Sequence, residues 1–520
     1  MRCLKNMIAG PMVLIVFLGV LSLSLVSLGS VTRTQRCGGG GGGGGTVIDP
    51  PVGAVFKDQP VLPNLSVEPG VVEVNLEAKY ATVNLNGTNA RLMTYNGYYP
   101  GPLIRYKVGD ELRVNLKNGL PSTTVTNILG YRRGLTNLHA HGMHVSPQEP
   151  GDYVMYELES GQTYHHVYDT SLQAPSTICL YHPHRHGLVG EQVWAGLIGA
   201  FVADDADATL AGYETHVMLI KDIALSGSDP APHSRMMDYM MGKEGNIVTV
   251  NGQVNPRLYI KKGQVQRWRI ANTSQARFYK IALDGHTMQL IGTDGGLLDK
   301  AYEVPYLILA PAERVDVLIK ANQSAASYKF KSLPYDRGSM MGGGGGCMSA
   351  GQTITLLTAT YSGTQSPAQT IPAVINPDAM RLNLNTAGLP HKEFTLSMMG
   401  GKGFINAQNF DDNPLTVMST VGDYEVWTIN NASMMDHPWH QHVNPAQVLS
   451  VSGGDAVYAK YAAIPAWKDV TIIPAMGSAT ILVPIMDYSG MVMVHCHILE
   501  HEDIGMMAMW MIMDMPMMKK

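Results

Sequence analysis

His495-Cys496-His497-Ile498-Leu499-Glu500-His501-Glu502-Asp503-Ile504-Gly505-Met506 sets imidazole, thiolate and thioether donors within twelve residues, and its reading decides the rest of the chain. In an extended His-Cys-His triplet, side chains two apart share a face and the middle one takes the other. His495 and His497 then serve one metal centre and Cys496 a second. A thiolate, the imidazole of His501 and a weak thioether from Met506 need one more histidine to make a blue-copper electron-transfer site.

That histidine stands upstream, in His437-Pro438-Trp439-His440-Gln441-His442, where His440 and His442 share a face and His437 is offset. Two further pairs are His139-Ala140-His141 and His182-Pro183-His184. The chain has only 18 histidines in 520 residues, so four close pairs are not a chance outcome. With His437, Cys496, His501 and Met506 they make twelve ligands for four metals.

The four motifs, in this order and with the doublets near opposite ends, resemble the multicopper oxidases: laccases, cuprous oxidases, bilirubin oxidases and their relatives. The resemblance covers roughly residues 65–518. It implies four copper ions. His437, Cys496 and His501 would hold the type 1 copper with Met506 as axial ligand, and His139 and His440 the type 2 copper. The type 3 pair would be shared between His141, His182 and His497 on one side and His184, His442 and His495 on the other. Because Cys496 adjoins both His495 and His497, an electron taken up at the type 1 site would leave through the backbone of its own ligand. Ala140 and Leu180 stand where many relatives carry aromatic residues, which implies a less aromatic wall around the cluster.

The architecture follows from a repeated pattern. Gly109-Asp-Glu-Leu-Arg-Val-Asn-Leu-Lys-Asn118, Gly263-Gln-Val-Gln-Arg-Trp-Arg-Ile-Ala-Asn272 and Gly422-Asp-Tyr-Glu-Val-Trp-Thr-Ile-Asn-Asn431 each begin at a turn glycine, alternate polar and apolar residues and end at asparagine. Each is preceded by an asparagine-containing stretch: Asn96-Gly97, Asn251-Gly252 and Asn406-Ala407. Copies roughly 155 residues apart predict three β-sandwich units. The family fold that matches is all-β, three consecutive cupredoxin-like Greek-key β-sandwich domains at 61–205, 206–372 and 373–520. The first and third copies lead into histidine motifs. The second reaches only Asp284-Gly285-His286, so the middle domain is expected to be copper-free and His286 structural. His186 repeats the spacing after His184 as a spare histidine beside the cluster, while His144, His165 and His166 are expected as surface or packing residues.

Composition agrees with a mostly β, exported protein. Gly 55 and Pro 30 are turn-rich usage. A formal net charge of -5 leaves no basic surplus for a phosphate backbone, so nucleic acid is not an expected partner. Arg2 and Lys5 followed by the apolar run Met12 to Gly29 predict residues 1–30 as a signal peptide, or an uncleaved membrane tether. Export to a periplasmic or extracellular space is expected either way. Residues 31–60, with eight glycines after Cys37, are expected as an unmodified, disordered linker, since Arg36 does not suit a lipidated cysteine. Five cysteines are few; Cys179 and Cys347 either pair across domains or stay free.

Reducing dioxygen to water without releasing peroxide takes four electrons, and the implied coppers hold that many. The protons need carboxylates, for which Glu502 and Asp152 are the candidates. The reductant is either Cu(I) or a small phenol or aromatic amine, and a non-catalytic copper carrier is the rival outside enzymology. Methionines bear on that choice because thioethers favour Cu(I). They cluster at Met236, Met237, Met240 and Met241; at Met340, Met341 and Met348 around the glycine run 342–346; at Met398 and Met399; at Met434 and Met435; and from Met506 to Met518. The tail's first part is expected as a final strand with its alternating methionines in the core.

Overall fold

The computed structural model describes residues 49–85, 87–339 and 352–514. The expected signal segment, Cys37 and its glycines, the 342–346 run with Cys347, and the last methionines lie outside the described residues. Among the described residues no helix is long and apolar enough to cross a membrane.

Apart from a two-stranded ribbon of Leu225–Ser226 and Asp229–Pro230, the described strands fall into three pairs of sheets, each drawn from one continuous stretch of chain. Two four-stranded sheets come from 71–203, a six- and a five-stranded sheet from 214–365, and two five-stranded sheets from 391–513. Alternation explains the layering. Along Glu111–Asn118, Leu112, Val114 and Leu116 are buried against Ile104, Tyr181 and Phe201 of the facing sheet. Trp268 and Phe330 meet in the same way in the second pair, and Trp427, Trp439 and Trp510 in the third.

The three patterned segments occupy equivalent places. Glu111–Asn118, Val265–Asn272 and Tyr424–Asn431 each run parallel to the opening strand of their unit, Val71–Leu85, Glu214–Ile223 and His391–Met399. Asn96, Asn251 and Asn406 take φ of 55°, 52° and 52°, the left-handed region that asparagine tolerates. Their side-chain oxygens accept from the backbone N–H of Glu77, Leu219 and Thr395 at 2.6, 2.8 and 2.7 Å. The asparagines that close the segments behave alike: Nδ2 of Asn118, Asn272 and Asn431 each donates to two carbonyls of the following loop or strand. Asparagine recurs because each copy needs an amide that donates and accepts at the same corner.

One expectation needs correction and a second is refined. The linker expected to 60 is anchored from Asp49 onward: Gly53 N donates to Asn255 O at 2.7 Å, Val55 bridges Arg257 and Phe56 is buried. The final strand, Met507–Met513, turns Ala508, Trp510 and Ile512 into the main core. Its methionines take the other face, where Met507 and Met509 pack against Val154, Met493 and Phe410.

Three short helices matter below: α1 (Val189–Ala195), α2 (Met236–Met241) and α3 (Leu499–Asp503).

Candidate metal centre

The strand Gly490–Cys496 lies antiparallel to His437–Gln441, with Cys496 opposite Trp439 and His495 opposite His440. The strand stops at Cys496; His497 N instead donates to Pro438 O at 2.7 Å and the chain turns into α3. The pleat sends Cys496 to one face and His495 to the other. On the first face His437, Cys496 and His501 converge, all buried. Cys496 Sγ is 3.4 Å from His437 Nδ1 and 3.6 Å from His501 Nδ1, and the two nitrogens are 3.2 Å apart. His501 Nε2 faces the Met240 carbonyl at 3.2 Å. A carbonyl can only accept, so Nε2 carries the hydrogen and Nδ1 keeps its lone pair toward the sulfur. Burial pushes the Cys496 thiol well up and the two imidazoles down; a metal ion would reverse the first and exploit the second. Met506, fully buried, accepts from Cys496 N through its carbonyl at 3.1 Å. Gly403 packs on it so closely that a Cβ there would come within 2.6 Å of Met506 Cβ.

On the other face eight buried imidazoles meet. His139–His141 pairs with Ile178–His182, placing His139 opposite His182. His139 stacks on His442 and His141 on His440, each with ring centroids 3.9 Å apart. His184 and His442 bring Nε2 to 3.4 and 3.3 Å from His495 Nε2. His497 presents its ring edge-on to His141 and His182, at 4.8 and 5.4 Å. The expected ligands of each type 3 set are thus neighbours, and the His139 and His440 rings lie 5.8 Å apart.

The outer nitrogens are committed. His182, His440 and His495 donate from Nδ1 to the carbonyls of Pro183, Asp469 and Cys496 at 2.8, 2.8 and 3.1 Å. The inner ones are not: His139 Nε2, His141 Nδ1, His182 Nε2, His440 Nε2 and both nitrogens of His497 have no hydrogen-bond partner among the described residues. Each such orphan costs about 1–3 kcal/mol if nothing satisfies it. Burial, then the neighbouring rings, holds these imidazoles well below their usual pKa, so they are neutral with lone pairs turned inward. Neutral imidazoles facing one another and a cysteine sulfur on the adjoining face fit copper.

Both candidate carboxylates are at the site. Asp152 is buried, 2.8 Å from His139 Nδ1, and accepts from Ala140 N at 2.7 Å; burial pushes its pKa up to about 8. Glu502 is buried on α3, 3.2 Å from His495 Nδ1 and 3.6 Å from His184 Nδ1. Burial, reinforced by Asp503, raises it well above the carboxylate range. Both are therefore poised to carry a proton beside a histidine.

Sequence reasoning missed Asp469. Its Oδ1 lies 3.1 Å from His141 Nε2, its carbonyl takes the His440 bond, and Arg314 grips its carboxylate with two bonds of 2.6 Å. The available signal was a charged pair, Lys468-Asp469, entering the buried strand Val470–Ile473. His186 is no mere spare: it bonds Asp411 at 2.8 Å, and Tyr131 donates to the same carboxylate at 2.6 Å. His166 is fully buried between Tyr156 OH and Gly151 O, whereas His165 meets Asn115 and His144 bridges Val443 O and Asp487. His286 bonds Tyr361, away from the cluster. Ala140 and Leu180 are buried in the cluster's strands. Cys179 is a buried free thiol that donates to Gly142 O and is pushed up to about 12 by burial.

The methionines divide. Met435 is buried, while Met236, Met237, Met399 and Met434 are exposed. Met236 lies against Gly401, where a Cβ would be 3.7 Å from its sulfur. Helix α2 thus covers His501 through Met240 O and shows thioethers to solvent.

Three family models, each described as "Multicopper oxidase", match residues 77–208, 213–339 and 377–515. A laccase of Bacillus subtilis (strain 168) is 28% identical over 493 residues, covering 85% of this chain and 94% of that one. A Staphylococcus aureus multicopper oxidase is 26% identical, covering 81% and 84%. Among solved structures, a Campylobacter jejuni multicopper oxidase described as a metallo-oxidase superposes with a TM-score of 0.76 at 28% identity, covering 89% of this chain and 96% of its own.

Proposed function

The chain belongs to the multicopper oxidase family, copper-dependent oxidases that pass electrons from a reductant to dioxygen, and from that premise we propose that its reductant is Cu(I). The observation that carries the proposal is the 3.2 Å approach of the Met240 carbonyl to His501 Nε2. It seats a methionine-bearing helix on the imidazole through which an electron would arrive. Exposed thioethers at Met236, Met237, Met399 and Met434 offer soft donors to Cu(I) and little to a phenol.

Within this reading four coppers are held as the family pattern implies. His437, Cys496, His501 and Met506 take type 1; His139 and His440 take type 2; His141, His182, His497 and His184, His442, His495 take the type 3 pair. When bound, copper supplies the one-electron chemistry at both faces. The chain supplies the rest. His501, buried under α2, would take the electron by way of the Met240 carbonyl on its Nε2, and Cys496 joins the two faces, since its carbonyl accepts from His495 Nδ1. Glu502 holds a proton beside His184 and His495, and Asp152 another beside His139. The three units occupy 61–205, 206–372 and 373–520, the middle one without copper. We place the enzyme outside the cytoplasm, by the charged and apolar N-terminal run, with a role in tolerating copper.

Oxygen uptake by copper-loaded protein, with Cu(I) and a simple phenol offered in parallel, tests this. Replacing Met236, Met237, Met399 and Met434 with serine should raise KM for Cu(I) and leave phenol-driven uptake unchanged. Phenol-driven uptake alone would make the chain a laccase. Full copper loading without uptake from either donor would revive the carrier.

A further inference from the structure

Arg337 is 2% exposed yet permanently charged, so its surroundings must compensate it. Its Nε donates to Glu244 Oε1 at 3.0 Å. Nη2 donates to the carbonyls of Met241 and Gly242, the last residue of α2 and its cap, where a helix leaves carbonyls unpaired. Nη1 lies 2.8 Å from the Met435 sulfur. The Arg337 carbonyl accepts from Asp436 N at 2.7 Å, and Gly338 bridges Met435. One side chain therefore ties the methionine helix to the residues that lead into His437. Gly242 completes the fit: a Cβ there would come within 2.8 Å of Ile498 Cγ2, in the turn between Cys496 and His501.

The charges are ordered. Glu244 also faces Arg277 at 3.4 Å, and Arg277 pairs with Asp222 at 2.9 Å. The row Arg337, Glu244, Arg277, Asp222 is neutral overall with its cationic end at the thiolate cluster. Glu500, held by Lys243 N and His233, and Glu502 are the carboxylates that face the same cluster from α3. A metal that gains an electron loses one positive charge, so a fixed cation nearby favours the reduced state, and burial strengthens the effect.

We infer that Arg337 is a positioning residue of the electron-uptake site, locking α2 over His501 and raising the reduction potential of the metal held by His437, Cys496 and His501. The inference rests on the proposal that those residues hold a type 1 copper.

The test is a redox titration of the blue absorption band in copper-loaded protein, with KM for Cu(I) measured alongside. R337M should disfavour reduction at least tenfold, which is 59 mV for one electron. R337K, which keeps the charge and loses the fork, should hold the potential near wild type but raise KM for Cu(I). E244Q should shift the potential upward, opposite to R337M, a reversal that loosened packing would not produce. Shifts of the same sign, or none, in proteins that keep the band would overturn the inference. If R337M takes up no copper, E244Q decides: an upward shift upholds the role, and no shift or a downward one ends it. Wild-type protein without a blue band would instead sink the type 1 assignment itself.

Discussion

The Asp469 carboxylate lies 3.1 Å from Nε2 of His141, and this contact sets which nitrogen of that ring is free. Arg314, which can only donate, bonds both carboxylate oxygens at 2.6 Å, so both act as acceptors. Nε2 then carries the hydrogen, and Nδ1 keeps its lone pair, the reverse of His182, His440 and His495. Three sheet pairs join here: His141 from the first, Arg314 from the second and Asp469 from the third. Gly142 must be glycine, because a Cβ would lie 2.3 Å from Arg314 Nη2 and 2.7 Å from Asp469 Oδ2.

Asp469→Asn should accordingly disturb both metal binding and stability. Replacing a group that orients a ligand costs about 10–100-fold in metal affinity. Leaving Arg314 without its bidentate partner costs about 3–5 kcal/mol. Copper content per chain after dialysis, with urea unfolding of the apoprotein, measures the two. Full copper retention would show that His141 needs no such partner.

Cys496→Ser should abolish the blue band and oxygen uptake while copper stays among the eight histidines. The carbonyl that orients His495 belongs to the backbone and survives the substitution. Copper analysis beside the absorption spectrum checks this; loss of all copper would mean that the two faces assemble only together.

Glu502→Gln should slow turnover about 10²–10⁴-fold, the usual worth of a positioned proton donor, with copper content unchanged. Its effect on stability should have the opposite sign. Glu502 has a raised folded pKa, so its contribution is fully present below the unfolded value and lost as pH rises. Glutamine escapes that loss, and the variant apoprotein should be the more stable at pH 8, the advantage fading toward acid. A variant less stable at pH 8 would place Glu502 in a compensating network.

Much of this was legible because the decisive residues are local. Within each histidine pair, and around Cys496, the ligands stand one or two positions apart, and extended backbone turns that spacing into shared faces. Glu502 was legible by adjacency to His501. Asp152 was readable only as one of two alternatives, since nothing in its loop shows that it folds under His139. Arg314 and Arg337 carry no local signature, and Asp469 only the charged pair it makes with Lys468 ahead of a buried strand. Their meaning comes from partners such as Glu244 and His141, 93 and 328 residues away, where burial forces charges to find each other. The final strand's alternation marks two faces without saying which meets the larger core: Met507 packs into a small cluster, while Ala508, Trp510 and Ile512 enter the main one.

The apoprotein should be most stable near pH 6.5, and copper should remove the acid side of that optimum. Burial lowers His182 to about 4 and His437 to about 3. Below the unfolded histidine value of about 6.5 the unfolded chain takes up protons that the folded one refuses, so stability falls. For His182 alone the loss approaches about 3 kcal/mol. The raised carboxylates act in the other sense. Asp152, pushed up to about 8, and Glu502 weaken the fold as pH rises above the unfolded carboxylate range. Above pH 6.5 the raised carboxylates, Asp503 with them, set the slope; below it the more numerous histidines outweigh them. Bound copper keeps the imidazoles from protonating until it is released. Melting temperatures of apo and copper-loaded protein at pH 8, 6.5 and 5 should therefore show the gap widening from 6.5 to 5. An apoprotein equally stable at pH 6.5 and 5 would mean that its cluster is hydrated and takes up protons freely when copper is absent.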